Sequence, residues 1–360
     1  MERIFNFSAG PSMLPLSVLK TAQSQMLNYK GSGQSVMEMS HRSKHYQAII
    51  DECSSLLRKI MNVPENYEIL FLQGGASSQF AMVPLNLTKN GRAAYVLTGI
   101  WAKKAFEEAK KYTNPVCIAT SEDKNFSYIP KTDTSCFDGE FDYLHICLNN
   151  TIFGTRYTAL PESAPLLVGD ASSCILADEI DVSRFGLLYA GAQKNMAPAG
   201  LTVAFVRKDL LGNALKETPT MFNYKIHADN GSMYNTPPCY TIYMCLLVLK
   251  WLDEEIGGIS NMAKINRKKA GLLYDFLDSS SLFTGTANKA DRSLTNVPFV
   301  LNDPSLDSKF LTLAEENGLI NLKGHRLVGG MRASLYNGMP IEGVERLVSF
   351  MQKFEKENSK

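Results

Sequence analysis

Lys194 stands in the run Tyr189-Ala190-Gly191-Ala192-Gln193-Lys194-Asn195-Met196-Ala197-Pro198-Ala199-Gly200. Small neighbours and a following Pro–Gly loop let a lysine approach a large planar ligand. Desolvation there would lower the amine's pKa and favour attack on an aldehyde carbon. A lysine on an exposed loop is the commoner occurrence, so the other residues must decide. In Leu166-Leu167-Val168-Gly169-Asp170-Ala171-Ser172-Ser173 a carboxylate follows an apolar strand, 24 residues before the lysine. Ligands of open α/β sheets bind at such strand ends. Taken singly, Asp170 reads better as a turn or helix N-cap residue; paired with Lys194 it points to a site.

Two more strand ends add to this. Gln73-Gly74-Gly75-Ala76-Ser77-Ser78-Gln79-Phe80 follows the apolar run Glu68–Leu72. Its glycines free backbone N–H groups and its serines can donate to a phosphate at a helix N-terminus. It is neither a Walker A loop nor a G-x-G-x-x-G fingerprint, so nothing here supports ATP or NAD. Trp101 follows the run Ala93–Leu97, in Thr98-Gly99-Ile100-Trp101, and could stack on a ring, although most tryptophans are core. An amine, a carboxylate, an anion cradle and an aromatic together suit pyridoxal 5'-phosphate (PLP). Its pyridine nitrogen needs a carboxylate to stay protonated, because the protonated ring is the electron sink.

Positioning these groups calls for strands alternating with helices. Apolar runs predict strands at Glu68–Leu72, Ala93–Leu97, Val116–Ala119, Tyr143–Cys147, Leu166–Val168, Leu187–Ala190 and Thr202–Val206. Several are apolar throughout, as in strands covered on both faces. Helical stretches are expected at Gln79–Leu87, Ala102–Lys111 and Asp209–Ala214, giving an α/β unit with a largely parallel sheet. A longer helix is expected over Cys239–Glu255, stopping at Gly257-Gly258, then a basic amphipathic helix over Asn261–Leu277. The remainder, with strands near Leu294–Leu301 and Met331–Ser334 and helices near Ser308–Asn317 and Ile341–Lys356, reads as a smaller α+β unit.

The bulk numbers agree with an enzyme of two domains. The 360 residues exceed the usual single-domain size. With 37 Lys+Arg against 36 Asp+Glu there is no global field to draw nucleic acid or an acidic membrane, and anion affinity must come from local clusters. No apolar run is long enough to span a bilayer, and the start, Met1 to Ser8, lacks the pattern of a signal peptide. Seven scattered cysteines without a C-x-x-C pair suggest reduced thiols in the cytoplasm, with no metal site.

The sequence also resembles the phosphoserine aminotransferase family, nearly end to end. The resemblance is carried by Phe5-Asn6-Phe7-Ser8-Ala9-Gly10-Pro11, Ser40-His41-Arg42-Ser43, the Gly-Gly-Ala-Ser loop, Gly99-Ile100-Trp101 and Asn149 to Thr155. It continues through Asp170-Ala171-Ser172-Ser173, Gly191 to Asn195, Ser232 to Pro238 and Gly324 to Ser334. It implies PLP fold type I: a large domain, residues 16–257, with a mostly parallel seven-stranded sheet, and a small α+β domain formed by 1–15 and 258–360. It implies that Ala76 and Ser77 hold the cofactor phosphate, Trp101 stacks on the ring, Thr151 contacts its 3-oxygen side and Asp170 holds its nitrogen. Gln193 completes the wall beside Lys194, the Schiff-base lysine and general base. Asn235 and Thr236 would reach the phosphate from a neighbouring subunit, which implies a homodimer with shared sites.

The implied reaction moves an amino group between L-glutamate and 3-phosphohydroxypyruvate, giving O-phospho-L-serine and 2-oxoglutarate in a ping-pong cycle. Family members can also form 4-phosphohydroxy-L-threonine on the route to pyridoxine. Arg332 would grip the α-carboxylate. His41, Arg42, His325 and Arg326 would take the distal carboxylate or phosphate, and it stays open whether the first two come from the partner subunit. Ser77 stands where some members carry arginine, and Ala197 where glycine is common. A cysteine desulfurase or other PLP lyase, and a PLP-binding protein without catalysis, remain alternatives at this point. The first needs a reactive cysteine in a mobile loop, and no cysteine lies in a glycine-rich one.

Overall fold

The computed structural model describes residues 3–133, 136, 140–162 and 166–358. Met1, Glu2, Ser359 and Lys360, the ends of the expected start and smaller unit, lie outside them.

The chain opens with β1 (Phe5–Asn6), α1 (Leu16–Ser24) and α2 (Lys44–Ile60), then runs β2 (Tyr67–Leu72), α3 (Gly75–Leu87), β3 (Arg92–Leu97), α4 (Ile100–Ala109) and β4 (Asn114–Thr120). Next come β5 (Leu144–Cys147), β6 (Leu167–Asp170), β7 (Leu187–Gly191) and β8 (Thr202–Arg207). These form one seven-stranded sheet in the order β2-β8-β7-β6-β5-β3-β4. β8 alone runs antiparallel to its neighbours, β2 and β7; the other pairings are parallel. All seven strands fall where the apolar runs predict them, because a strand covered on both faces must be apolar on both.

Alternate residues serve the two faces. Ala94, Val96, Leu144, Ile146, Leu188 and Ala190 pack with residues of α1, α2 and α6 (Cys239–Lys250). Tyr95, Leu97, Tyr143, Cys147, Leu187 and Tyr189 pack with α3 and α4. α5 (Tyr224–Asp229) lies between β8 and α6 in the chain. The helix begun by α6 continues as a π-helical turn over Trp251–Glu255 and ends before Gly257 and Gly258, both at positive φ.

The rest of the chain is α7 (Ile259–Ser279), β9 (Phe283–Gly285), β10 (Asn296–Leu301), α8 (Asp307–Glu316), β11 (Leu319–Ile320), β12 (Met331–Ser334) and α9 (Ile341–Asn358). β12, β10 and β9 make an antiparallel sheet, and β11 pairs in parallel with β1. Phe7 and Met13 share a core with residues of α7, α8, α9 and this sheet. α7 joins both parts: Ile259 and Met262 lie in the core of the large sheet, Ala270 and Leu273 in the other.

Two expectations change. The stretch Asp209–Ala214 forms only a 3₁₀ turn, Lys208–Leu210, because Gly212 takes φ +90° and Arg207 pairs with Asp209 across the turn. The helix after the glycine loop starts at Gly75, not Gln79, because Gly74 at φ +93° turns the chain directly from strand into helix.

One buried side chain ties the end of β12 to α7. Lys269 is fully buried, and its Nζ donates to the carbonyls of Leu335, Tyr336 and Met339 at 3.0, 2.9 and 2.9 Å. Burial pushes its pKa down to about 7, yet three carbonyl acceptors match the three N–H bonds of an ammonium group. Inside the turn it holds, Asn337 donates its N–H to Asn195 Oδ1 at 2.8 Å, next to Lys194. Lys269→Met should therefore lower the unfolding free energy by about 3 kcal/mol, given roughly 1–3 kcal/mol for each buried acceptor left without a donor. An unchanged midpoint in urea unfolding would show that those carbonyls find other donors.

Candidate active site

Five elements converge at the carboxyl ends of the parallel strands. β2 delivers the N-terminus of α3, where Gly75, Ala76 and Ser77 line a cavity of about 130 Å³. Gly74 takes φ +93° and a Cβ there would meet Ser78 Oγ at 2.0 Å, so the turn into α3 favours glycine. No side chain caps this helix, which leaves its amide end to the cavity. β3 delivers Trp101 in the first turn of α4, β5 delivers Cys147 and the Asn149–Thr151 turn, β6 ends on Asp170, and β7 leads to Gln193 and Lys194.

Lys194 Nζ donates to Thr151 Oγ1 at 2.7 Å and lies 5.9 Å from the centroid of the Trp101 ring. Loss of hydration lowers its pKa, against the opposing pull of Asp170. Asp170 is 5% exposed and accepts from the Ser172 N–H at 2.9 Å. Burial raises its pKa, offset by bonds from Ser172 and Tyr189 and by the charge of Lys194. Lys194 is held from behind by the N-terminal segment. Ser12 N–H donates to Gln193 O at 3.1 Å and Ser12 Oγ to Lys194 O. Gly10, at φ +128°, sits so close that a Cβ would lie 3.0 Å from Lys194 Cγ.

A second cavity of about 730 Å³ is lined by Ile152, Phe153, His325 and Arg332 among others. Arg332, on β12, is half-buried, with its pKa lowered by burial. Its Nε is buried without a partner among the described residues. His325 stands in the loop before β12, its pKa lowered by burial and then by Arg332, Arg326 and Lys104. Arg326 is exposed on that loop.

Five expected residues line neither cavity of their own chain: Arg326 and the two pairs His41–Arg42 and Asn235–Thr236. His41 and Arg42 lie in the turn before α2, and Arg42 is exposed. Asn235 and Thr236 are exposed before α6, and the Thr236 carbonyl accepts from Gln73 Nε2 at 3.0 Å. One cavity residue and two residues beside the site escaped the reading of residue types. Ser12 works through a backbone carbonyl far along the chain, Cys147 looks like core, and Lys104, with its Nζ 4.8 Å from the Trp101 ring centroid, looks like a solvated helix residue.

Whether PLP suits this cavity can be tested on its unsatisfied groups. Trp101 Nε1 is buried without a partner among the described residues. Asp170 is a buried carboxylate facing a desolvated amine. A ring cation answers the Asp170 carboxylate, an aldehyde the Lys194 amine and an anionic tail the uncapped amide end of α3, so the residues fit the cofactor.

The aminotransferase class-V family profile matches residues 4–347. The chain belongs to this family. A phosphoserine aminotransferase of Bacillus cereus is 55% identical over 361 residues, covering 99% of this chain and 100% of that protein. The solved phosphoserine aminotransferase of Bacillus circulans subsp. alkalophilus superposes with a TM-score of 0.96 at 44% identity, over 100% of both chains. PLP-bound phosphoserine aminotransferase from Trichomonas vaginalis matches at TM-score 0.92 and 36% identity, over 97% of this chain and 100% of that one. PLP is the cofactor of this class-V aminotransferase.

Among the cavity-lining residues the one cysteine is Cys147, and burial pushes its thiol pKa well up. A protonated, immobile thiol makes a poor sulfur acceptor, which counts against desulfurase chemistry. For Lys194 the lowered pKa means that the uncharged amine forms at a lower pH than in a free lysine. Capture of PLP by the cofactor-free protein, trapped with borohydride, should rise with pH and reach half its maximum below 10.5, the ordinary lysine value. A midpoint at or above that value would contradict the desolvation of Lys194.

Proposed function

We propose that this class-V aminotransferase moves an amino group between L-glutamate and 3-phosphohydroxypyruvate, giving O-phospho-L-serine and 2-oxoglutarate. The observation that carries this reading is the 55% identity to a phosphoserine aminotransferase over almost the whole chain.

When bound, PLP supplies an aldehyde to take the amino group and a protonated ring to delocalise the electron pair left at the substrate α-carbon. Asp170 holds the proton on the ring nitrogen: a cation beside it offsets the burial that otherwise raises its pKa. Trp101 covers one face of the ring, and Ala76 and Ser77 bind the phosphate at the N-terminus of α3. Thr151 orients Lys194 through the 2.7 Å bond. Lys194, the covalent anchor of the cofactor, takes the α-proton once its Nζ is released and returns it on the cofactor side. Gln193 lines the wall beside it.

Arg332 grips the α-carboxylate shared by both substrates, as a bidentate pair. His325 and Arg326, with His41 and Arg42, receive the distal carboxylate or phosphate. The exposure of Arg42, Asn235 and Thr236 away from their own cavity supports a homodimer in which they complete a neighbouring subunit's site. The grouping of Phe7 and Met13 with the C-terminal core supports a large domain of residues 16–257 and a small one of 1–15 and 258–360. Free cysteines suit a cytoplasmic enzyme, and among the described residues no helix is long and apolar enough to cross a membrane.

Lys194→Ala given glutamate and 3-phosphohydroxypyruvate should form no 2-oxoglutarate above background; undiminished product would sink the role of Lys194. With Ser77 in place of an arginine, the substrate phosphate falls to the His-Arg pairs. Arg326→Ala should thus raise KM for 3-phosphohydroxypyruvate about 10- to 100-fold, the size of one charge-assisted hydrogen bond, and change KM for unphosphorylated 3-hydroxypyruvate less than about twofold. Equal losses on both acceptors would remove Arg326 from the phosphate site. A wild-type preference for the unphosphorylated acid would overturn the substrate while leaving the transaminase.

A further inference from the structure

Behind Asp170, away from the cavity, two buried side chains continue the polar line. Asp170 and Tyr189 are register partners on β6 and β7, and the Tyr189 hydroxyl is one of the groups that draw the Asp170 pKa down against burial. On its other side the same hydroxyl lies 2.9 Å from His145 Nε2, on β5. Tyr189 is 0% and His145 1% exposed, so neither exchanges its partner for water. Tyr95 stacks on the imidazole, with ring centroids 5.0 Å apart, and its own hydroxyl is occupied by Tyr143 at 2.9 Å.

We propose that His145 and Tyr189 are positioning residues that form a one-way hydrogen-bond relay, His145 Nε2–H to Tyr189 Oη and Tyr189 O–H to Asp170. The relay holds the Asp170 carboxylate charged and aimed at the ring nitrogen of the cofactor. This inference rests on the cofactor chemistry proposed above.

The direction of the relay follows from which donors can be satisfied. Burial pushes the His145 pKa down to about 3, so the imidazole is neutral and carries one N–H. Its Nδ1 is buried with no partner among the described residues. A proton on Nδ1 would be a buried donor with no acceptor, and it would turn the Tyr189 hydroxyl away from the carboxylate toward bare Nε2. A proton on Nε2 leaves only a lone pair unpaired and lets both donors point toward the anion. The surroundings add little competing charge. Asp170 faces Lys194, Tyr189, Cys147 and Cys174; His145 faces Tyr95 and Tyr189, with Tyr143 and Tyr224 beyond. Burial raises the pKa of each of these tyrosines and cysteines and so keeps it neutral. Among the groups facing Asp170 and His145 directly, Lys194 carries the other charge, and it leaves Asp170 to the ring when it binds the aldehyde. The relay then supplies fixed dipoles where a cation would compete with the ring for the carboxylate.

The test compares Tyr189→Phe, His145→Leu and His145→Gln with wild type, each checked for folding by thermal unfolding. Three readouts are used: PLP affinity of the cofactor-free protein, pH titration of the bound cofactor's absorption, and kcat against KM for glutamate. Tyr189→Phe should weaken PLP binding and lower kcat by about 10-fold, the loss of one hydrogen bond to a charged group, and His145→Leu, which removes a bond between neutral groups, by about 3- to 10-fold. KM for glutamate should stay within about twofold, and the spectral titration should shift relative to wild type. His145→Gln, whose amide can donate to Tyr189, should recover most of the affinity and the wild-type titration. Should His145→Leu not fold, Tyr189→Phe, which keeps the ring, decides alone. Unchanged affinity and titration in folded Tyr189→Phe overturn the relay. Failure of wild type to bind PLP would instead overturn the cofactor reading beneath it.

Discussion

A carboxylate and an amine share one dry pocket, and each is there at a cost. Desolvation raises the pKa of Asp170 and lowers that of Lys194, while their mutual attraction offsets part of both shifts. The backbone brings the two side chains together. Here β6 and β7 are adjacent parallel strands, so Asp170 at the end of one and Lys194 just beyond the other project to the same edge of the sheet. The remaining pocket groups follow from that edge: a strand order of β7-β6-β5-β3 brings the turns after β5 and β3, with Thr151 and Trp101, over the same point.

The cost also explains how firmly the turn around Lys194 is clamped. Its carbonyl side is tied to Ser12, and Asn195 is tied to Asn337, in a turn whose carbonyls converge on Lys269. Both ties come from segments whose neighbours pack in the core of the C-terminal sheet, Met13 on one side and Leu335 and Met339 on the other. Arg332 stands three residues before the first carbonyl bound by Lys269. The amine and the arginine facing the second cavity are therefore braced by the same buried ammonium, although they belong to different sheets.

Much of this was legible from residue types, for identifiable reasons. Strands buried on both faces are apolar throughout, and all seven stood out. Lys194, Asp170, the glycine loop and Trp101 could be grouped because each follows such a strand. α1 and α2 escaped notice because the part of the chain before β2 drew attention only for its motifs; α2 nevertheless has Ser43 as an N-cap, its Oγ accepting from Tyr46 N–H at 3.2 Å. The Asp209–Ala214 stretch failed for the opposite reason, apolar spacing without the hydrogen bonds, broken by Gly212 at φ +90°. Contacts made through backbone carbonyls, such as Ser12 on Lys194, carry no residue-type signature. Tyr189 and His145 looked like strand filling, and only their pairing across the sheet shows otherwise.

The residues proposed to hold the two ends of the substrate also differ in how they are mounted, and the difference suits a site that must accept two substrates in turn. What stays constant between glutamate and a phosphorylated oxo acid is the carbon that reacts and the carboxylate beside it. Asp170 ends a strand, Trp101 sits in the first turn of α4, Thr151 in a tight turn, and Arg332 lies within β12, paired opposite Pro298: rigid mounts for the constant part. What varies is the distal anion, a planar carboxylate in one case and a larger tetrahedral phosphate in the other. Its expected ligands, His325, Arg326, His41 and Arg42, all stand on connecting segments, where the backbone can yield by an ångström without disturbing a strand. A rigid grip at the far end would favour one anion over the other and stall the half of the cycle that needs the second.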